Sequence, residues 1–332
     1  MRISKLFRRA SIPCAGVALG FAALGNLLQS YAEAFHILCG LISLFFVVLL
    51  IGKLLVDGKS LRKAMGNPIQ ASVAGTLSMA IMLLSTYIAA QAHVMAFVIW
   101  IAAVCAHITL IVWFTRQYFL KSFKLERVFA SYFIVYVGIV VASVTAPAFG
   151  MQSFGNVAFW FGLACFVALL FPVTKRYVQV KETPQAALPI FCIYAAPASL
   201  CVAGYVQSGQ PRSLLLAYIL LAVASCIYVV VLLRLPKLLR LPFYPSYASF
   251  TFPFVISAIA TKQVGALSAK AGMSIAWLGA LSAKAGMSIA WLGAVATVET
   301  ALAAALCLYV ALRFCGALFV GLSDEREERL AD

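Results

Sequence analysis

Acidic residues are scarce in this chain: 10 Asp and Glu stand against 25 Lys and Arg in 332 residues. Charged residues of both signs make up only 11%, and no stretch between the apolar runs is long enough to fold as a soluble domain. With 64% hydrophobic residues and a mean hydropathy of +1.02, a water-soluble globular protein is excluded. Histidine occurs three times, at dispersed positions, and the nine cysteines include no C-x-x-C pair. That spacing offers no metal-ligand cluster, and the cysteines read as small buried apolar residues. A Walker loop, a G-x-G-x-x-G context and an H-E-x-x-H pair are also missing. Nucleotide-driven and zinc-hydrolase chemistries therefore lack sequence support, and neither a cofactor nor a metal is expected.

What is present is a succession of ten apolar runs, each near the roughly 20 residues that cross a bilayer as a helix. The odd-numbered runs lie near 10–29, 69–90, 129–147, 187–206 and 244–261. They carry or adjoin Pro13, Pro68, Pro147, Pro189 with Pro197, and Pro245 with Pro253. The even-numbered runs, near 34–52, 94–114, 155–173, 214–233 and 289–312, have no interior proline, Pro172 lying at an end. Proline costs about 3 kcal/mol inside a helix, and a membrane tolerates it where neighbours or a cavity satisfy the freed carbonyls. The alternation predicts an all-α integral membrane protein. Ten transmembrane helices would form five hairpins around a central pore, with the odd-numbered helices inside. The transmembrane domain would span 1–322, followed by a short charged tail at 323–332.

Charge distribution gives an orientation. In the ten-span reading, 21 of the 25 basic residues fall on one face, and only Arg212, Lys262, Lys270 and Lys284 on the other. The positive-inside rule then places both termini in the cytoplasm, as a multi-pass protein of the cell inner membrane. The net charge of +15 is topological rather than a nucleic-acid footprint. The expected partners are the lipid bilayer and a small inorganic or carboxylate anion. The basic segment before the first run resembles a signal-peptide start. Its removal would leave nine spans and spoil the charge split, so it is expected to stay.

Internal repetition supports the hairpin scheme. The hairpins recur about every 55–60 residues, and the proline pair 189/197 recurs at 245/253, an offset of 56. A different repeat is exact: GALSAKAGMSIAWL at 265–278 returns at 279–292. As helix, those 14 extra residues would add about 21 Å, too long for a hydrocarbon-buried extension. One copy is expected to lie looped out at the outer surface.

Few residues in the runs are equipped for chemistry. Under the 56-residue offset Phe252 aligns with Ala196, placing a ring where the earlier run has a methyl. Such a ring can plug a narrow pore, or simply pack in the core. Gly16, Gly20, Gly138 and Gly204 sit on the proline-bearing runs, where small residues either allow close helix approach or widen a lumen. Glu299 is the one acidic residue near the middle of a run, and an ionisable group at that depth is either a structural pair or a proton or ion site. His107 reads as packing, and His36 and His93 fall near membrane surfaces. The proline-rich runs hold no Arg, Lys or Asp at their centres, so an anion would meet hydroxyls, backbone dipoles and a positive mouth.

Four stretches carry a family resemblance: PCAGVALGFAALG at 13–25, YFIVYVGIVVASVTAP at 132–147, APASLCVAGY at 196–205 and FYPSYASFTFP at 243–253. Together they resemble the tellurite-resistance/dicarboxylate transporter family, which includes the bacterial tellurite-resistance membrane protein, fungal malate permeases and the plant guard-cell slow anion channel. The resemblance implies a homotrimer in which each protomer has its own pore formed by the five odd-numbered helices. It also implies that Phe252, before Pro253, is the gating phenylalanine. The leading expectation is an anion channel or facilitator for small anions such as dicarboxylates or tellurite-type oxyanions. A proton-coupled C4-dicarboxylate or oxyanion carrier using Glu299 is the alternative, and an intramembrane enzyme a remote one.

Overall fold

The computed structural model describes residues 2–180, 182–209, 213–270 and 289–331. Among these residues all regular structure is helical. We number the helices α1 (Arg2–Arg9), α2 (Cys14–Leu28), α3 (Glu33–Ala64), α4 (Pro68–Val73), α5 (Gly75–Tyr87) and α6 (His93–Phe114). There follow α7 (Tyr132–Tyr136), α8 (Val140–Thr145), α9 (Gln152–Gln179), α10 (Ala195–Ser208), α11 (Leu214–Leu239), α12 (Phe252–Lys270) and α13 (Ile289–Ala331). Eight helical stretches are long and apolar enough to cross a membrane, and Cys14–Leu28 and Val140–Phe149 are shorter apolar helices.

Burial divides these stretches into two groups. The apolar windows of Pro68–Tyr87, Gln185–Ser208 and Pro245–Ala269 are 61–83% buried, whereas those of the other five long helices are 28–44% buried. In α2 every residue except Asn26 and Leu28 is buried. The less buried helices turn large apolar side chains outward, among them Leu41, Val98, Val167, Leu233 and Leu312. In lipid such side chains give no drive toward association, so helix contacts rest on small residues and interhelical hydrogen bonds. Ser43 donates to the Ala18 carbonyl at 2.7 Å, Ser208 to the Ser143 carbonyl at 2.6 Å, and Ser199 and Ser257 meet at 3.0 Å.

The inner helices are broken where proline and glycine predict it. A 3-10 segment, Gln185–Tyr194, runs into α10, and another, Pro245–Phe250, precedes α12. Each following helix carries a proline in its first turn, Pro197 or Pro253, so the 56-residue offset is a repeat of local structure as well. Between α6 and α9 the chain breaks between α7 and α8, then ends in a 3-10 turn, Ala146–Phe149, around Pro147. Gly150 closes that turn in the left-handed region at φ 67°, the conformation glycine adopts without steric cost.

The structure departs from the sequence reading in two respects. Segments expected as polar connections continue as helix: α3 spans 32 residues, about 48 Å, with a break at Asp57. Lys53 is thereby buried, donating to the Arg8 carbonyl at 2.7 Å and facing Asp57 at 3.7 Å. Nor is interior proline confined to the inner group, because Pro172 and Pro236 lie inside α9 and α11. The expectation that one copy of the duplication is looped out falls on 271–288, which lies outside the described residues.

Candidate functional site: two cavities that meet at Phe252

Two cavities lie among the buried helices, about 320 and 540 Å³ in volume. Each inner stretch contributes first to one and then to the other. Leu19 lines the first cavity and Ala23 the second; Met79 and Leu83 divide in the same way, as do Gly138 and Val141. Leu200 and Phe252 line both. The five inner stretches thus run in parallel from the first cavity to the second, and the two cavities adjoin at Leu200 and Phe252.

Local sequence explains where the Phe252 ring stands. The 3-10 segment ends at Phe250, and Thr251 takes a non-helical φ −98°, ψ −90°. Its hydroxyl lies 3.0 Å from the Gly16 carbonyl and 2.7 Å from that of Ala248, which pins the break to α2. Helix α12 then starts at Phe252 with Pro253 behind it, a position where the missing N–H removes no intrahelical bond. Gly20 permits the approach: a Cβ there would stand 2.4 Å from Thr251 Cβ and 3.2 Å from the Phe252 nitrogen. Phe250 and Phe254 are fully buried, and Phe254 meets Tyr228 at a ring-centroid distance of 5.7 Å. Phe252 alone of these three rings borders the cavities.

The cavities differ in polarity. The first is mainly apolar, with Asn67, Gln70, Thr76, Ser246 and Ser249 as its polar members. Glu33, His36 and a set of amides including Asn26, Gln91, Gln207 and Gln263 line the second. Among the described residues no Lys or Arg lines either cavity.

The residues singled out in the sequence separate into two sets. Pro13, Gly16, Gly138, Pro197, Phe252 and Pro253 line the first cavity together. Gly20, Pro147 and Gly204 line neither of the two. A Cβ at Gly204 would come 2.4 Å from Val140 Cγ1, so close helix approach is its observed role. Glu299 likewise lines neither cavity; it is buried on α13, with Thr261 of α12 as hydrogen-bond neighbour and Oε2 unpartnered. His107 is fully buried, with Nδ1 2.8 Å from Ser78 Oγ and Nε2 3.1 Å from the Val135 carbonyl, a packing histidine. His36, which the sequence puts near a membrane surface, sits in the second cavity between Glu33, Asn26 and Tyr87. The available signal was the three-residue spacing of Glu33 and His36, which puts both on one helix face.

No curated protein matches the chain. A family model, described as voltage-dependent anion channel, matches residues 10–315, which takes in every residue of both cavities. That family moves anions across membranes, and it is the tellurite-resistance/dicarboxylate transporter family resembled by the four stretches above. The chain belongs to the voltage-dependent anion channel (SLAC1) family.

Proposed function

We propose that the protein passes small anions passively along one path made of the two cavities, and that the Phe252 ring closes it. The observation that carries this reading is the shared lining: a single large ring stands where the two cavities adjoin. A ring at a constriction blocks sterically and by dewetting. With no Lys or Arg on the path, an anion is held by amides, hydroxyls and helix N-termini, weakly enough to leave again. Ala196, Pro197, Phe252 and Pro253 bring the first turns of α10 and α12 to the first cavity, and their partial positive charge favours an anion there.

The shorter apolar helices Cys14–Leu28 and Val140–Phe149 count as parts of a first and a fifth span, giving ten crossings. The 21-to-4 division of basic residues supports cytoplasmic termini. Pro13, Asn67, Pro184 and Pro245 then put the first cavity on the cytoplasmic side, and the second opens outward. Protomers assemble as a homotrimer in the inner membrane, and the anion is inorganic or a carboxylate, a dicarboxylate or tellurite-type oxyanion included. These assignments follow the family resemblance.

One observation favours a second reading, the proton-coupled carrier: the buried Glu299 carboxyl with its unpartnered oxygen. Its absence from the lining of both cavities supports the passive path instead. Anion efflux from proteoliposomes with and without an imposed proton gradient separates the two. Under the passive reading the gradient drives no accumulation, and Glu299→Gln leaves efflux unchanged. Accumulation against a gradient that Glu299→Gln abolishes would establish the carrier.

A further inference from the structure

The outer cavity contains a side-chain cluster that a passive path closed by Phe252 does not require. His36 on α3 is buried, and its two ring nitrogens face two oxygens: Glu33 Oε1 lies 3.0 Å from Nδ1 and Asn26 Oδ1 3.1 Å from Nε2. Tyr87 of α5 stacks on the ring at 3.9 Å between centroids and 18° between planes. The tyrosine is itself fixed, its hydroxyl donating to the Ala22 carbonyl at 2.6 Å. Gly25 and Gly40 leave room for it, since a Cβ at either would come within 2.2 or 2.6 Å of the tyrosine. Gln29 donates to the other Glu33 oxygen at 3.1 Å. Three helices are thus shaped around one imidazole.

An imidazole with an oxygen acceptor at each nitrogen is placed to donate twice, as only its protonated form can. Other titratable groups nearby are few. Cys39 lies behind Tyr87 on α3. Lys262 of α12 turns its ammonium to the Leu27 carbonyl at 3.2 Å, to Ser30, and over the Tyr31 ring at 5.0 Å. Lys262 is not among the residues lining the cavity; its titratable members are Glu33, His36 and the phenol of Tyr87, whose hydroxyl is held by the Ala22 carbonyl.

We propose that Glu33 and His36 together set the charge of the outer cavity and so decide how readily it admits anions. With His36 protonated the pair is neutral overall, and the cavity offers amide N–H groups from Gln91, Gln207 and Gln263. When His36 gives up its proton to water, the Glu33 carboxylate remains as an uncompensated negative charge at the entrance and repels anions. Anion flux therefore falls as pH rises. The inference rests on the two-cavity path, since the pair matters only if anions cross this cavity.

The test is chloride efflux from proteoliposomes of the full chain at equal pH on both sides, between about pH 5 and 8, where imidazole side chains change charge. Wild-type efflux is expected to decline on the order of tenfold toward the upper end, the scale of a focused charge in a cleft. Glu33→Gln should remove the decline and stay fast. His36→Gln should be slow at every pH, and the double variant should recover the fast, flat profile. Parallel declines in wild type and Glu33→Gln would overturn the proposal. So would a double variant as slow as His36→Gln, which would make His36 a packing residue for Tyr87. Glu33 has a largely exposed side chain, so Glu33→Gln decides the matter even if His36→Gln fails to fold. Phe252→Ala in the same vesicles separates the two levels. If it does not speed efflux, the gated path falls; if it does while the pH profiles coincide, the charge pair alone falls.

Discussion

Phe252→Ala is expected to raise passive anion efflux about tenfold or more, the change that lowering a barrier by about 1.4 kcal/mol produces. The substitution removes the one ring common to both cavities and leaves Leu200 as the remaining shared side chain. Alanine matches what the repeat already has at the equivalent place, Ala196, which lines the first cavity without closing it. Helix α12 should survive, because its start is held by Thr251 on the Gly16 carbonyl and by Pro253, neither of which the substitution touches. An efflux increase without loss of thermal stability is the expected pair of results. Unchanged efflux in well-folded protein would place the constriction elsewhere.

Gly20→Val is expected to have the second large effect, acting on the support rather than the ring. Even the first atom of a side chain at this position would lie 2.4 Å from Thr251 Cβ and 2.6 Å from its hydroxyl oxygen. The branched valine must push α2 away from the Thr251 break, opening the bond to the Gly16 carbonyl. Overpacking of this kind costs about 1–3 kcal/mol and sometimes more. Thermal unfolding in detergent should show a lowered midpoint, and the protein that remains folded should leak anions as Phe252→Ala does. Wild-type stability and wild-type closure together would show that the α2 contact does not seat the gate.

Much of this arrangement is legible in the sequence because the bilayer restricts what a chain can do. Apolar runs become helices, and runs bearing proline or adjoining it are also the more buried ones, since a freed carbonyl needs protein around it. The run at 244–261 reads in the sequence as one proline-bearing span; the structure divides it at Thr251 into a 3-10 segment and α12, because Pro253 fits a helix's first turn. Polar residues such as Lys59 and Lys63 stay helical beyond the apolar run, which hydropathy alone cannot register. Pro172 and Pro236 sit in continuous helix at the ends of apolar runs, away from the buried centre where a proline break would matter most. The His36 cluster was out of reach for a different reason. Its partners come from α2, α3 and α5, so only Glu33 lies close enough in sequence to be noticed. Glu299 is legible as a carboxyl within a run, but its neighbour Thr261 and its absence from the lining of both cavities are facts of packing.

Side-specific thiol labelling tests the central claim most directly, since none of the nine native cysteines lines either cavity. A cysteine is introduced in the outer cavity as Ala148→Cys, and a small impermeant anionic thiol reagent is applied from the cytoplasmic side. With Phe252 in place the account predicts no labelling of that cysteine, and with Phe252→Ala rapid labelling. Equal labelling with and without the ring, or none in either protein, would contradict a single path closed at Phe252.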